Sequence, residues 1–206
     1  MKKSLFTLIF WAYCACSVAQ TPTEVGSAET HHYAIEIAGI RVGTMTAVRQ
    51  PQADNQTIYT LISDVKVNLL VYTVKIYYKV INRFEGKKLM LSTVDVHTNR
   101  GDFTSRTEWK GDHYDINADQ YKYKRQTIET QNIDFSSSLL YFYEPLGRNK
   151  VYAEYFGDYF TFSKTAAGTY HAVISDRADD YIYQNGRLVK IVKHNSLKNF
   201  ILRLLD

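Results

Sequence analysis

Few residues in this sequence that could attack, shuttle protons or ligate metal stand at the spacings such chemistry requires. No G-x-S-x-G or S-x-x-K nucleophile pattern occurs. His-Glu-x-x-His is absent, and His31, His32, His97, His113, His171 and His194 are scattered with no acidic partner at helical spacing. None of the ten glycines forms a G-x-G pair, so the chain lacks a phosphate cradle and nucleotide enzymes are disfavoured. Asp95-Val96-His97 would put a carboxylate and an imidazole on one strand face, an acid–base or metal pair that also arises easily by chance. His31-His32 reads as a solvated pair and Asp179-Asp180 as a solvated turn. Glycoside cleavage needs two carboxylates at a set separation, which a chain with 21 acids does not specify in one dimension. The balance points to binding rather than catalysis, with no cofactor and no metal expected.

The aromatic surplus points the same way. The chain holds 17 tyrosines among 206 residues. Tyrosine favours strands and sheet rims for packing reasons alone, yet its apolar ring and hydroxyl also suit a cleft for a lipid, sugar or peptide. Tyr72, Ile76, Tyr78 and Phe84 are the ligand-binding candidates, because all four alternate onto one face of a single extended stretch.

That face requires a strand. From Tyr72 to Phe84 the apolar residues Tyr72, Val74, Ile76, Tyr78, Val80 and Phe84 fall on one side, and Thr73, Lys75, Lys79 and Arg83 on the other. Asn82 is the polar exception on the apolar side, marking a bulge, a barrel mouth or a ligand contact. The same period of two runs through 33–37, 40–45, 57–67, 89–98, 103–110 and 113–117. Glu85-Gly86-Lys87-Lys88 and Gly111-Asp112 supply turns between them, and Asn185-Gly186 is a type I′ hairpin signal. Ser136-Ser137-Ser138 before Leu139-Leu140 reads as a serine-capped short helix near 137–143, ended by Pro145 and Gly147. The tail, 197–205, fits helix or strand, with the all-β context favouring strand.

The chain opens with an address. Lys2 and Lys3 precede an apolar run from Leu5 to Cys16, and Ser17-Val18-Ala19 has the small-x-small pattern of a signal-peptidase site, so cleavage is expected after Ala19. Tyr13 occupies a position where a lipoprotein box takes a small aliphatic residue, which disfavours lipidation at Cys16. Cleavage removes Cys14 and Cys16, both cysteines, and takes two lysines from a formal charge of +4. So small an excess disfavours nucleic acid and anionic membrane surfaces. The expected organisation is a signal peptide over 1–19, a flexible leader over 20–30 and one domain over 31–206, with no transmembrane segment in the mature chain. Outward lysines such as Lys75, Lys79, Lys122 and Lys124 argue against a lipid-facing barrel.

Ala38-Gly39-Ile40-Arg41-Val42-Gly43, Leu140-Tyr141-Phe142-Tyr143-Glu144-Pro145 and Tyr183-Gln184-Asn185-Gly186-Arg187-Leu188 together resemble a group of uncharacterised exported bacterial proteins. That group is similar to periplasmic incomplete antiparallel barrels of the lipoprotein-carrier kind. The resemblance implies fold and location, and no site residues. Gly39 and Gly43 would serve a turn and a close backbone approach, and Glu144 either ends the short helix or faces a pocket as its lone charge.

The expected fold is therefore all-β, a curved antiparallel sheet forming an open or half-closed barrel with one short helix. The expected function is non-enzymatic binding of a hydrophobic or amphipathic ligand, such as a lipid, inside the curve of an exported periplasmic or cell-envelope protein. The alternative is an envelope interaction or assembly module with a protein or glycan partner.

Overall fold

The computed structural model describes residues 26–68, 73–121, 123–194 and 199–205. Tyr72, Lys122 and the stretch expected to be a signal peptide, with its expected cleavage site, lie outside the described residues. The strands are β1 (Glu29–Ile37), β2 (Ile40–Pro51), β3 (Gln56–Asn68), β4 (Thr73–Glu85), β5 (Lys88–Thr98), β6 (Gly101–Trp109), β7 (Tyr114–Gln120) and β8 (Tyr123–Glu129). After a 3-10 helix (Ser137–Tyr141) come β9 (Lys150–Ala153), β10 (Asp158–Ala166), β11 (Thr169–Ile174), β12 (Arg177–Gln184), β13 (Arg187–Lys193) and β14 (Phe200–Leu204). The first strand thus starts at Glu29, inside the stretch the sequence suggests as leader.

All fourteen strands form one antiparallel sheet in the order β8-β7-β6-β5-β4-β3-β2-β1-β14-β13-β12-β11-β10-β9. Sequential hairpins account for most of this order. The exception is the pairing of β14 with β1, from Tyr33 opposite Leu204 to Ile37 opposite Phe200, which brings the first and last strands together in mid-sheet. The tail is accordingly a strand over Phe200–Leu204. The sheet edges are β8 and β9, neighbours in the chain that do not pair with each other.

The sheet is not closed into a barrel. Instead of meeting edge to edge, the β9–β10 end tucks against the inner face of β6 and β7. Thr107 and the Tyr152 hydroxyl lie 2.6 Å apart in a hydrogen bond, and the Ser105 hydroxyl donates to the Tyr155 carbonyl at 2.8 Å. Ser105, Thr107 and Ala118 are small, and that makes room for the second layer. From the other edge, Arg125 on β8 pairs with Asp158 at 2.7 Å and Tyr123 meets the Phe156 ring. The seam is held by side chains where a barrel would have a ladder.

Alternation places the core as expected. Along β4, Val80, Asn82 and Phe84 are buried, Val74, Ile76 and Tyr78 half-buried, and Lys75, Arg83 and Glu85 exposed. Asn185 and Gly186 both have positive φ, 52° and 77°, which a type I′ turn demands. Gly43 lets β2 and β3 approach: a Cβ there would lie 2.3 Å from the Asp64 carbonyl oxygen. The segment between β8 and β9 crosses the interior, burying Ile133, Phe135, Leu139 and Leu140. Its flank is clamped by a two-point Arg148–Asp134 pair at 2.9 and 3.0 Å.

The three serines act differently from the sequence expectation. Ser136 makes no side-chain cap, and the helix is a single 3-10 turn. The Ser137 and Ser138 hydroxyls donate to a buried carboxylate instead, and the Ser136 hydroxyl accepts from Asn82 Nδ2 at 3.2 Å.

Candidate functional site

Strands following an odd-numbered partner return from one end of the curled sheet, and that end opens into a cavity of about 770 Å³. Its wall is mostly apolar: Leu61, Val65, Ile76, Val96, Phe160 and Leu202 come from five different strands. Tyr78, Tyr141, Tyr155 and Tyr181 contribute rings. Burial pushes the Tyr78, Tyr141 and Tyr181 phenols well above the usual range, so they face the cavity as neutral hydroxyl-bearing rings.

The far end is closed by the crossing segment, which contributes Ser137 and Tyr141 to the wall. Glu154, in the tight turn between β9 and β10, anchors it. Its Oε1 accepts from Asn82 Nδ2 at 2.6 Å, from the Ser138 hydroxyl at 2.5 Å and from the Ser138 backbone N–H at 3.0 Å. The Ser137 hydroxyl donates to Oε2. Glu154 is 1% exposed, and every one of these donors is uncharged. A carboxylate taken out of water needs such a shell, since an unsatisfied buried charge costs several kcal/mol, on the order of the protein's whole stability. Because the carboxylate only accepts, the Asn82 amide must turn its nitrogen toward it, leaving Asn82 Oδ1 without a hydrogen-bond partner. Asn82 is thus neither a bulge nor a mouth residue. It belongs to the latch that holds the cavity floor.

Of the sequence candidates, the structure brings Ile76 and Tyr78 to the cavity wall, and the Tyr78 and Tyr155 rings lie 6.4 Å apart. Phe84 lies elsewhere, 2% exposed and edge-on to Tyr59 near the other end of β4. It is core because it follows the cavity-facing residues past Asn82, under the crossing segment. Tyr72 lies outside the described residues.

Several local readings are corrected. His31 is buried, with Nδ1 hydrogen-bonded to the Tyr141 carbonyl at 2.9 Å and Nε2 3.1 Å from Glu29. Asp179 and Asp180 stand in β12, where Asp179 is buried and paired with Lys193 at 2.7 Å. Asp180 accepts from His171 at 2.6 Å and His194 at 2.7 Å on the outer face. His97 pairs with Asp102, not Asp95, and is exposed. Glu144 accepts from the Tyr170 hydroxyl at 2.7 Å and is not part of the cavity wall. Among the described residues, no group of three or more His, Cys, Asp or Glu is arranged to hold a metal ion.

Sequence reasoning missed Glu154. Its signal was a single acid inside the aromatic run Tyr152-Ala153-Glu154-Tyr155-Phe156, where alternation gives no solvent-facing slot for a charge.

The sequence over residues 33–205 matches the family described as Domain of unknown function (DUF6134). No curated protein matches the chain. Among solved structures, the crystal structure of a beta-barrel-like protein of Domain of Unknown Function DUF1849 from Brucella abortus superposes with a TM-score of 0.56. The match covers 86% of this chain and 95% of that one at 8% identity, a likeness of fold alone. Among the described residues, no helix is long and apolar enough to cross a membrane.

Proposed function

This chain belongs to the DUF6134 family, and from its geometry we propose that it binds a hydrophobic or amphipathic small molecule inside the scrolled sheet after export to the bacterial envelope. One observation carries the reading: a cavity of about 770 Å³, walled by apolar side chains and open at one end, in a domain whose other end is shut by its own crossing segment. Its volume falls in the ~300–1,000 Å³ range of small-molecule sites. The export half rests on the signal-like start of the sequence, with its lysines, apolar run and Ser17-Val18-Ala19.

The test is direct. Protein purified from residue 20 onward should take up a fluorescent fatty acid saturably, and gentle native mass spectrometry should show co-purified amphiphile. Ile76→Trp, which places a larger ring on the cavity wall, should weaken uptake while leaving the far-UV spectrum unchanged. No uptake and no co-purified molecule would overturn the reading.

A second reading, an envelope interaction or assembly module, has the outer edge of β8 in its favour, because β8 ends the sheet and pairs only with β7. Cross-linking in intact cells separates the two, since only this reading requires a stable protein neighbour.

A further inference from the structure

We infer that the cavity's occupant is a single-chain amphiphile with an anionic head, its tail among the apolar side chains and its head at Arg100 and Arg177. This rests on the cavity reading above and goes beyond it in naming the charge and place of the head group. Arg100 sits in the β5–β6 turn and Arg177 opens β12, so both are carried at the open end, and both line the cavity.

The charges on the cavity wall are one-sided. Of the four cations on the wall, Lys193 is matched by Asp179 at 2.7 Å across the β12–β13 ladder, and Lys75 alternates to the outer, exposed face of β4. Arg100 and Arg177 have no carboxylate partner among the described residues. No Asp or Glu appears on the wall. Asp102, across from His97, is engaged with that imidazole at 2.8 Å, and Asp176, next to Arg177 in the turn, is exposed and off the wall.

Both guanidiniums also lie over aromatic rings. Arg177 Cζ lies 5.2 Å from the centre of the Phe156 ring and Arg100 Cζ 5.6 Å from that of Tyr121. Phe156 and Tyr121 themselves line the cavity. A guanidinium over an aromatic face is attracted by the ring without spending its N–H donors on a carboxylate. Apolar wall below, ring-backed and unmatched guanidiniums above, and no acid on the wall are complementary to a long-chain carboxylate, the occupant to which the charge pattern commits.

The experiment measures displacement of the neutral probe N-phenyl-1-naphthylamine by dodecanoate and by dodecanol, which share a tail and differ in head charge. Dodecanoate should bind about tenfold more tightly, the factor expected from one charge-assisted hydrogen bond. Arg100→Gln with Arg177→Gln should bring dodecanoate to the affinity of dodecanol and leave dodecanol unchanged. Added salt should weaken dodecanoate alone. Should the double variant not fold, the single variants and the salt series on the native protein carry the same comparison. Equal affinity of the two competitors, unaffected by salt, overturns the anionic-head inference and leaves the cavity reading standing. Failure of the probe and both competitors to bind overturns the cavity reading itself.

Discussion

Asn82 Nδ2 donates to Glu154 Oε1 at 2.6 Å, joining two residues 72 positions apart through the interior of the scroll. This bond ties the middle of the sheet to the turn beside its free end, and the hydroxyls of Ser137 and Ser138 complete it. The cavity floor is therefore fastened by a buried, uncharged donor shell around one carboxylate.

Glu154→Gln retains shape but replaces acceptor lone pairs with an amide facing other donors. It should destabilise the fold by about 1–3 kcal/mol, the range for leaving buried polar groups unmatched. Urea denaturation checks this. A double-mutant cycle between Asn82→Ala and Glu154→Ala should give a coupling energy of about 1 kcal/mol or more. Strict additivity would show that the two side chains do not act as one unit.

Replacing Gly43 tests the close approach of β2 and β3. A Cβ at this position meets the Asp64 carbonyl at 2.3 Å and Val65 Cα at 2.9 Å, backbone atoms that cannot swing aside. Gly43→Ala should cost about 1–3 kcal/mol, as overpacking does. Gly39→Ala, with φ of +80° but open space around it, should cost about 1 kcal/mol from backbone strain alone. The order of the two midpoints in urea is the check.

On the outer face, burial would raise the Asp180 carboxyl, but hydrogen bonds from His171 and His194 outweigh it and hold the group below its ordinary range. A carboxyl depressed in the folded state contributes stability that is complete above its unfolded pKa and is lost as pH falls through the folded value. Asp180→Asn should thus lower stability near neutrality by about 0.5–1 kcal/mol, the scale of a surface pair. Below the folded value, that difference should vanish. Denaturant titrations across the acid range would detect a gap that persists instead.

At the alkaline end the sign reverses. Burial, then the bond to Glu144, pushes the Tyr170 phenol up to about 12, and Tyr78, Tyr141, Tyr181 and Tyr183 are raised by burial as well. Groups raised in the folded state contribute stability present below the unfolded pKa of ~10 and lost as pH rises through the folded values. Ultraviolet titration should show these tyrosines ionising together with unfolding. Smooth independent ionisation near the free value in a folded protein would contradict the burial described.

If the occupant's tail lies among Leu61, Val65, Ile76 and Val96, affinity should climb with chain length. Each added methylene buried is worth about 0.8 kcal/mol, or about fourfold in affinity, until the cavity is filled. A carboxylate series measured by probe displacement should therefore rise and then level. A flat series would place the tail outside the sheet.

Much of the architecture was legible in one dimension, because period-two alternation and turn chemistry are local. The faces of β4 and the Asn185-Gly186 hairpin follow from residues within a few positions of one another, whereas the tail fitted helix or strand locally and only the all-β context favoured the strand it forms. Ile76 and Tyr78 reached the cavity for the same reason. What local patterning could not settle is how far along an inward face the cavity extends. Ile76 and Phe84 have the same parity on the same strand, and only the segment crossing beneath the second makes it core.

The sequence by itself determined that this chain forms a curved antiparallel sheet and which side of each strand faces in, since both follow from side-chain alternation. Only the tertiary structure decided that the sheet scrolls instead of closing, that Glu154 and Asn82 meet, and that Arg100 and Arg177 share one open end. Those relations join residues dozens of positions apart, and the free energy that selects them is that of burying or pairing groups no local pattern connects.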